Sequence, residues 1–180
     1  MAEALLIVDF QNDFTPPSGA LAVPGGDLIA ARVNELAADE RFAVVIATRD
    51  WHPADHGSFT ASGGPWPPHC IQGTSGAELN PALDRARIDA VIDKGQAVDG
   101  DGYSAFDSPE LGLVLREEGV TALTIVGLAT DYCVLNTARD ALREGFVVAI
   151  DSSAVRAVDA TPGDGDQALD TLRQLGAIVS

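Results

Sequence analysis

Three residue types able to do covalent chemistry together stand at matching places in this chain. They are a carboxylate, Asp9, an amine, Lys94, and a thiol, Cys133, and each comes soon after a short apolar run. A thiolate attacks an acyl carbon, and a carboxylate takes the thiol proton and returns it to a leaving nitrogen. An amide needs that proton because its nitrogen leaves poorly unprotonated. Each residue also has a plain reading: Asp9 capping a turn, Lys94 on a solvated face, Cys133 filling core. Core packing does not require all three to fall at corresponding places in successive strand, loop, helix units, so their coincidence favours catalysis. Cys133 falls in the first turn of a predicted helix with Thr130 as N-cap, where the helix dipole, helped by Lys94, is expected to lower the thiol pKa. The amides of Ala129 and Cys133 at this turn are candidates for an oxyanion hole.

A second cluster is Asp50, His52, His56 and His69, which holds all three histidines of the chain within twenty residues. One carboxylate and three imidazoles suit a single divalent ion: zinc first, with iron and manganese as alternatives. A lone loop histidine is usually just solvated, but Asp-x-His directly off a strand end points to a metal. Phe14, Trp66 and Tyr103 are candidates to surround an aromatic substrate, with Leu128 beside the nucleophile turn, although isolated aromatics more often pack in core or on the surface.

Positioning these groups is the task of alternating elements. Strands are predicted over 5–8, 43–48, 90–92, 122–126, 146–150 and 177–179, and helices over 27–38, 109–118, 131–144 and 164–175. The third helix carries Val134, Ala138, Ala141 and Leu142 on one face and stops at Gly145, a suitable C′ residue. Short apolar strands alternating with helices predict an α/β fold, a six-stranded, largely parallel sheet with helices on both faces. Such sheets bind ligands beyond the carboxyl ends of their strands, where Asp9, Asp50, Lys94 and Cys133 fall. Residues 51–81 form a long aperiodic stretch rich in Gly, Pro, Ser and His, expected to wall a site.

At 180 residues, with 46% apolar and 21% charged residues, the chain is expected to form one domain, 1–180. A net charge of −16 argues against nucleic acid as a partner. There is no membrane-length apolar run and no basic leader, so a cytoplasmic protein without a membrane partner is expected. Cys70 and Cys133 are the two cysteines; in that compartment a reactive thiol is the better expectation than a disulfide, and Cys70 receives no role. How many copies associate, a homo-oligomer included, stays open.

The motifs VDFQNDF at 8–14, TRDWHPADH at 48–56, WPPHCIQGT at 66–74, DKG at 93–95, YSAF at 103–106 and GLATDYCV at 127–134 resemble the nicotinamidase and pyrazinamidase branch of the isochorismatase-like cysteine hydrolases. They run through most of the chain in the family's order. The resemblance implies a Rossmann-like three-layer fold with strand order 3-2-1-4-5-6. It implies a triad of Asp9, Lys94 and Cys133, metal ligation by Asp50, His52 and His69, with His56 a further ligand in some members, and a cis bond between Leu128 and Ala129. The implied activity is hydrolysis of nicotinamide, and of pyrazinamide, to the acid and ammonia through a cysteine thioester. The metal would orient the pyridine nitrogen of the substrate. His56 lies closer to His52 than in some relatives, and the extended metal loop of yeast-like members is absent. Two other readings stay open: a sibling amidase acting on another small amide, and a binding protein that has kept the fold without turnover. An isochorismatase would not need the metal set.

Overall fold

The computed structural model describes residues 2–180. Six strands, β1 (Ala2–Val8), β2 (Phe42–Asp50), β3 (Ala90–Lys94), β4 (Val120–Leu128), β5 (Val147–Arg156) and β6 (Ile178–Val179), form one sheet in the order β3-β2-β1-β4-β5-β6. Every strand pair is parallel. The strands alternate with α1 (Ala30–Ala37), α2 (Pro109–Glu117), α3 (Leu135–Arg143) and α4 (Asp164–Gln174).

Side chains on a strand point to opposite faces in turn, and β1 shows how this sequence builds two cores. Leu5 and Ile7 join Val33 and Leu36 of α1 together with Leu79 and Leu83 of the long loop. Ala4, Leu6 and Val8 join Leu111 and Leu115 of α2, Ala138 and Ala141 of α3 and Leu172 of α4. Buried on both faces, the central strands must be apolar throughout, as the run Leu5, Leu6, Ile7, Val8 is. The helix at 27–38 is predicted as one element, but it opens as a tight turn over Gly26–Ile29 before becoming α-helical at Ala30. Gly145, at φ +91, ends α3 as expected: its N–H reaches the Leu142 carbonyl at 3.1 Å, and the Phe146 N–H reaches Ala141 at 3.0 Å.

Two differences from the expected boundaries matter for the site. β3 continues through Asp93 and Lys94, so Lys94 is a strand residue paired in register with Asp50 at the end of β2. Lys94 therefore points to the same face as Ile92 two residues earlier, the face that α3 covers. The segment 131–144 does not begin as an α-helix. Thr130–Val134 is a single wide turn of π-helix whose N-cap is Ala129, and no side chain caps it. Thr130 is thus the first residue of the turn rather than its cap, because the wide turn directs the N–H groups of Tyr132 and Val134 both to the Ala129 carbonyl, at 3.1 Å each. The peptide bond between Leu128 and Ala129 is cis. No helix among the described residues is long and apolar enough to cross a membrane.

Candidate active site

Strands β2, β1 and β4 lie side by side at the middle of the sheet, and their carboxyl ends bring Asp50, Asp9 and the turn carrying Cys133 together. β1 and β4 approach so closely that a Cβ on Gly127 would lie 2.1 Å from the Val8 carbonyl oxygen, so only glycine fits there. Asp9 turns into the site at φ +49, with its N–H bonded to the Thr48 carbonyl at 3.2 Å and its Oδ1 accepting from the Thr48 hydroxyl at 2.7 Å. Its other oxygen, Oδ2, lies 2.9 Å from Lys94 Nζ but has no hydrogen-bond donor aligned on it. The buried Lys94 ammonium donates to Asp50 Oδ1 at 2.6 Å, to the Gly102 carbonyl at 2.6 Å and to Cys133 Sγ at 3.4 Å. The Cys133 sulfur and one oxygen of each of Asp9 and Asp50 lie within 4.8 Å of one another. All three predicted catalytic residues meet at one point, out of reach of solvent.

Burial governs how these groups hold protons. It pushes the Cys133 thiol well above its ordinary value, against the pull of Lys94. The expected lowering of the thiol pKa is therefore corrected: loss of water around the sulfur outweighs both the nearby ammonium and the short π turn. Burial likewise raises Asp9, with Lys94 opposing and Asp50 adding to the rise. It acts on Asp50 in the same direction, but there Lys94 and His52 prevail and hold the carboxyl below the usual range. Burial works against the Lys94 charge too, yet Asp50 and Asp9 outweigh it and raise the lysine well above its ordinary value. Burial therefore favours the neutral thiol, beside an Asp9 whose charged form is favoured by Lys94 and opposed by burial. In the metal-free protein, alkylation of Cys133 by iodoacetamide should keep accelerating as pH rises through and past the ordinary thiol range, because a raised thiol goes on gaining thiolate there. A rate already level at neutral pH would show a preformed thiolate instead.

The end of β2 and the long loop after it supply the second cluster, and all four predicted metal residues are buried. Donor atoms of Asp50, His52 and His69 converge within 4.8 Å of one another. His56 stands outside that set, its ring stacked on His52 at 4.0 Å between centroids. Each imidazole has its Nδ1 engaged: His52 with the Gly95 carbonyl at 2.8 Å, His69 with the Pro67 carbonyl at 2.8 Å, and His56 with the Ser58 hydroxyl at 2.7 Å. Engagement through Nδ1 leaves Nε2 as the atom each ring can offer to a metal, that of His52 lying 3.4 Å from Asp50 Oδ2, the arrangement that orients a metal-binding histidine. His56 Nε2 is buried with no well-aligned hydrogen-bond partner. Burial lowers the pKa of His56 and of His69, which suits neutral ligands. Burial works the same way on His52, but the Asp50 carboxylate, 3.4 Å away, more than offsets it and raises that imidazole. The residues present fit a divalent cation.

A small apolar pocket opens over Cys133, lined by Phe14, Leu21, Val23, Asp50, Trp66, His69, Tyr103, Ala129, Tyr132, Cys133 and Val158. Trp66 donates its indole N–H to the Tyr103 hydroxyl at 3.0 Å, and Tyr132 meets the Trp66 ring edge-on at 5.1 Å. The structure thus brings Phe14, Trp66 and Tyr103 to the pocket. Leu128 is not among the lining residues; its side chain packs in the core against Gly26. Sequence reasoning missed Tyr132, which stands beside Cys133 in the motif it had singled out, and Leu21, Val23 and Val158, which no local pattern marks. It also missed Gln11, a buried amide whose Oε1 accepts the Asp50 N–H and whose Nε2 donates to the Asp50 carbonyl, both at 2.8 Å. That residue fixes the backbone of Asp50 from both sides.

The chain is similar to known proteins along nearly its whole length. The isochorismatase domain matches residues 3–180. The nicotinamidase of Escherichia coli strain K12 is 40% identical, over 97% of this chain and 92% of its own. The crystal structure of the pyrazinamidase of Pyrococcus horikoshii in complex with zinc superimposes with a TM-score of 0.91, covering 100% of this chain and 99% of that one at 43% identity. PnC1 from L. infantum in complex with nicotinate superimposes with a TM-score of 0.94 at 38% identity, covering 99% of this chain and 92% of that one. With the family matched over residues 3–180, and with relatives covered over most of their length that carry the names nicotinamidase and pyrazinamidase, this protein belongs to the isochorismatase-like hydrolases, in their nicotinamidase and pyrazinamidase branch.

Proposed function

We propose that this protein hydrolyses nicotinamide to nicotinate and ammonia through a thioester on Cys133, and acts on pyrazinamide as well. The observation that carries the reading is the convergence of Asp9, Lys94 and Cys133 on one point under an aromatic-lined pocket that also contains Asp50 and His69. Relatives at about this distance are a nicotinamidase, a zinc-bound pyrazinamidase and a nicotinate complex.

In this mechanism the open oxygen of Asp9 takes the thiol proton as the sulfur attacks the carboxamide carbon, since a neutral, buried thiol must lose its proton in the same event. Lys94 opposes the rise that burial imposes on Asp9 and steadies the charge passing between carboxylate and sulfur. The amides of Ala129 and Cys133 receive the oxyanion. Asp9 then returns its proton to the leaving nitrogen, and ammonia departs. A water deprotonated by Asp9 attacks the thioester, and the proton goes back to the sulfur as nicotinate forms. Phe14, Trp66, Tyr103 and Tyr132 surround the ring. Asp50, His52 and His69 would hold one divalent ion, zinc by preference, with His56 adding its free Nε2; bound there, the ion would supply a Lewis-acid contact for the pyridine nitrogen.

Ammonia release from nicotinamide by purified protein, before and after chelation, tests the reading. Release that chelation removes and zinc, iron or manganese restores is the expected result; no release in any metal state would overturn it. The metal site yields its own prediction through Gly95. Its φ is +64, and a Cβ there would lie 2.5 Å from His52 Cε1. Gly95→Ala should therefore displace the ring and weaken metal affinity by roughly 10- to 100-fold, measured by competition with a chromophoric chelator. Unchanged affinity would remove His52 from the ligand set.

A further inference from the structure

We propose that Asp131 is a positioning residue whose carboxylate clamps the loop after β5, fixing Val158 as a wall of the pocket over Cys133 and so setting the size of amide the site admits. The proposal rests on the amidase reading for its substrates and on the following geometry for the clamp.

Asp131 lies in the π turn two residues before the nucleophile, half-buried. Its Oδ1 accepts the N–H of Val158 at 2.9 Å, and its Oδ2 accepts the N–H of Asp159 at 2.9 Å. Among the described residues it has no cationic partner, so this carboxylate is devoted to two backbone donors of one loop. Those donors lie beyond the end of β5 and have no strand to pair with; an ionised acceptor gripping both is the strongest single way to satisfy them. The loop is held at its far side too. Asp159 sits at φ +51, and its Oδ1 accepts the Gly165 N–H at 2.8 Å in the first turn of α4. A Cβ on Gly165 would lie 2.5 Å from Ala157 Cβ, so loop and helix are in direct contact.

The segment held this way carries Val158, which lines the pocket together with Ala129, Tyr132 and Cys133. Tyr132 follows Asp131 directly in the turn. The same carboxylate therefore locks two walls of the pocket, Tyr132 on the nucleophile turn and Val158 on the loop, at a fixed distance from each other and from the sulfur. An asparagine would present one acceptor and turn its NH2 toward the second N–H, losing one bond and opposing the other donor. An alanine would lose both.

For Asp131→Asn we expect KM for nicotinamide to rise on the order of tenfold while kcat changes far less, because the reacting groups stay in place and the ring is held loosely. Discrimination should relax as well: kcat/KM for the bicyclic quinoline-3-carboxamide should gain relative to nicotinamide. Val158→Ala, which opens the wall without touching the clamp, should reproduce that gain. A merely structural Asp131 would lower the amount of active protein and leave KM and the ratio of the two amides unchanged. A readout that needs no amide substrate separates this proposal from the amidase reading: the rate of Cys133 alkylation by bulky N-phenylmaleimide relative to small iodoacetamide, with mass spectrometry assigning the label. That ratio should rise in Asp131→Asn and further in Asp131→Ala, whether or not the wild type releases ammonia. An unchanged alkylation ratio in a folded Asp131→Ala protein would overturn the clamp, and an absence of ammonia from the wild type would overturn only the amidase reading.

Discussion

Cys133→Ala is expected to lower ammonia release from nicotinamide by a factor on the order of 10⁴ to 10⁶, the loss seen when a covalent nucleophile is removed from an enzyme that depends on it. The fold should survive. Cys133 is 5% exposed in the core that α2, α3 and α4 cover, and removing one buried sulfur costs roughly 1 kcal/mol by comparison with other small truncations. Thermal unfolding and turnover measured on the same preparation check both halves. Appreciable turnover by a folded variant would remove Cys133 from the role of nucleophile and leave direct attack by water as the mechanism.

Lys94→Ala should do damage of another kind, reaching stability as well as rate. The ammonium touches Asp50 at 2.6 Å and Asp9 at 2.9 Å, and all three groups are shut off from solvent. Removing it leaves two carboxylates buried side by side with only His52 beside Asp50 to offset them, and losing one partner of a buried pair costs roughly 3–5 kcal/mol. Turnover should fall by at least the roughly 10²- to 10⁴-fold that acid and base catalysis contributes, because losing Lys94 raises the Asp9 carboxyl further and disfavours its base form. The pH dependence gives the sign of the effect. In the wild type the carboxyl of Asp50 is held below its ordinary value, so its contribution is present at neutral pH and lost as pH falls through its folded pKa. Without the lysine both carboxyls rise, so the deficit of the variant should be largest near neutrality and shrink as acid protonates them. Urea unfolding of metal-free wild type and variant across pH checks this; a deficit that does not depend on pH would point to lost packing rather than lost charge.

Most of the fold was legible because both cores depend on simple periodicities. Runs as short and apolar as Leu5 to Val8 fit strands buried on two faces, and Gly145 marks the end of α3 by the backbone it must adopt. The candidate site was legible for a related reason: a parallel sheet brings the residues at its strand ends to one edge, so Asp9, Asp50 and Cys133 could be placed there without coordinates. What local sequence does not show is the balance of environments. The thiol looked activated because the dipole and Lys94 are properties of nearby residues, whereas the desolvation that dominates it is a property of the whole assembled pocket. The π turn was invisible for the same reason, since Thr130 has the composition of an N-cap and the wide turn appears only in how Tyr132 and Val134 share the Ala129 carbonyl. Val158 and Leu21 reach the pocket from loops distant in sequence, and nothing in their immediate surroundings marks them.

The central claim is a thioester on Cys133, and hydroxylamine tests it most directly. A nucleophile stronger than water should intercept the acyl-enzyme during turnover of nicotinamide, so nicotinohydroxamate should appear and nicotinate should fall by the same amount, while ammonia release is not slowed. The ratio of hydroxamate to nicotinate should be the same when a nicotinate ester replaces the amide, because both pass through one intermediate. Ammonia released at the full rate with no hydroxamate formed, or a ratio that differs between amide and ester, would contradict the covalent mechanism.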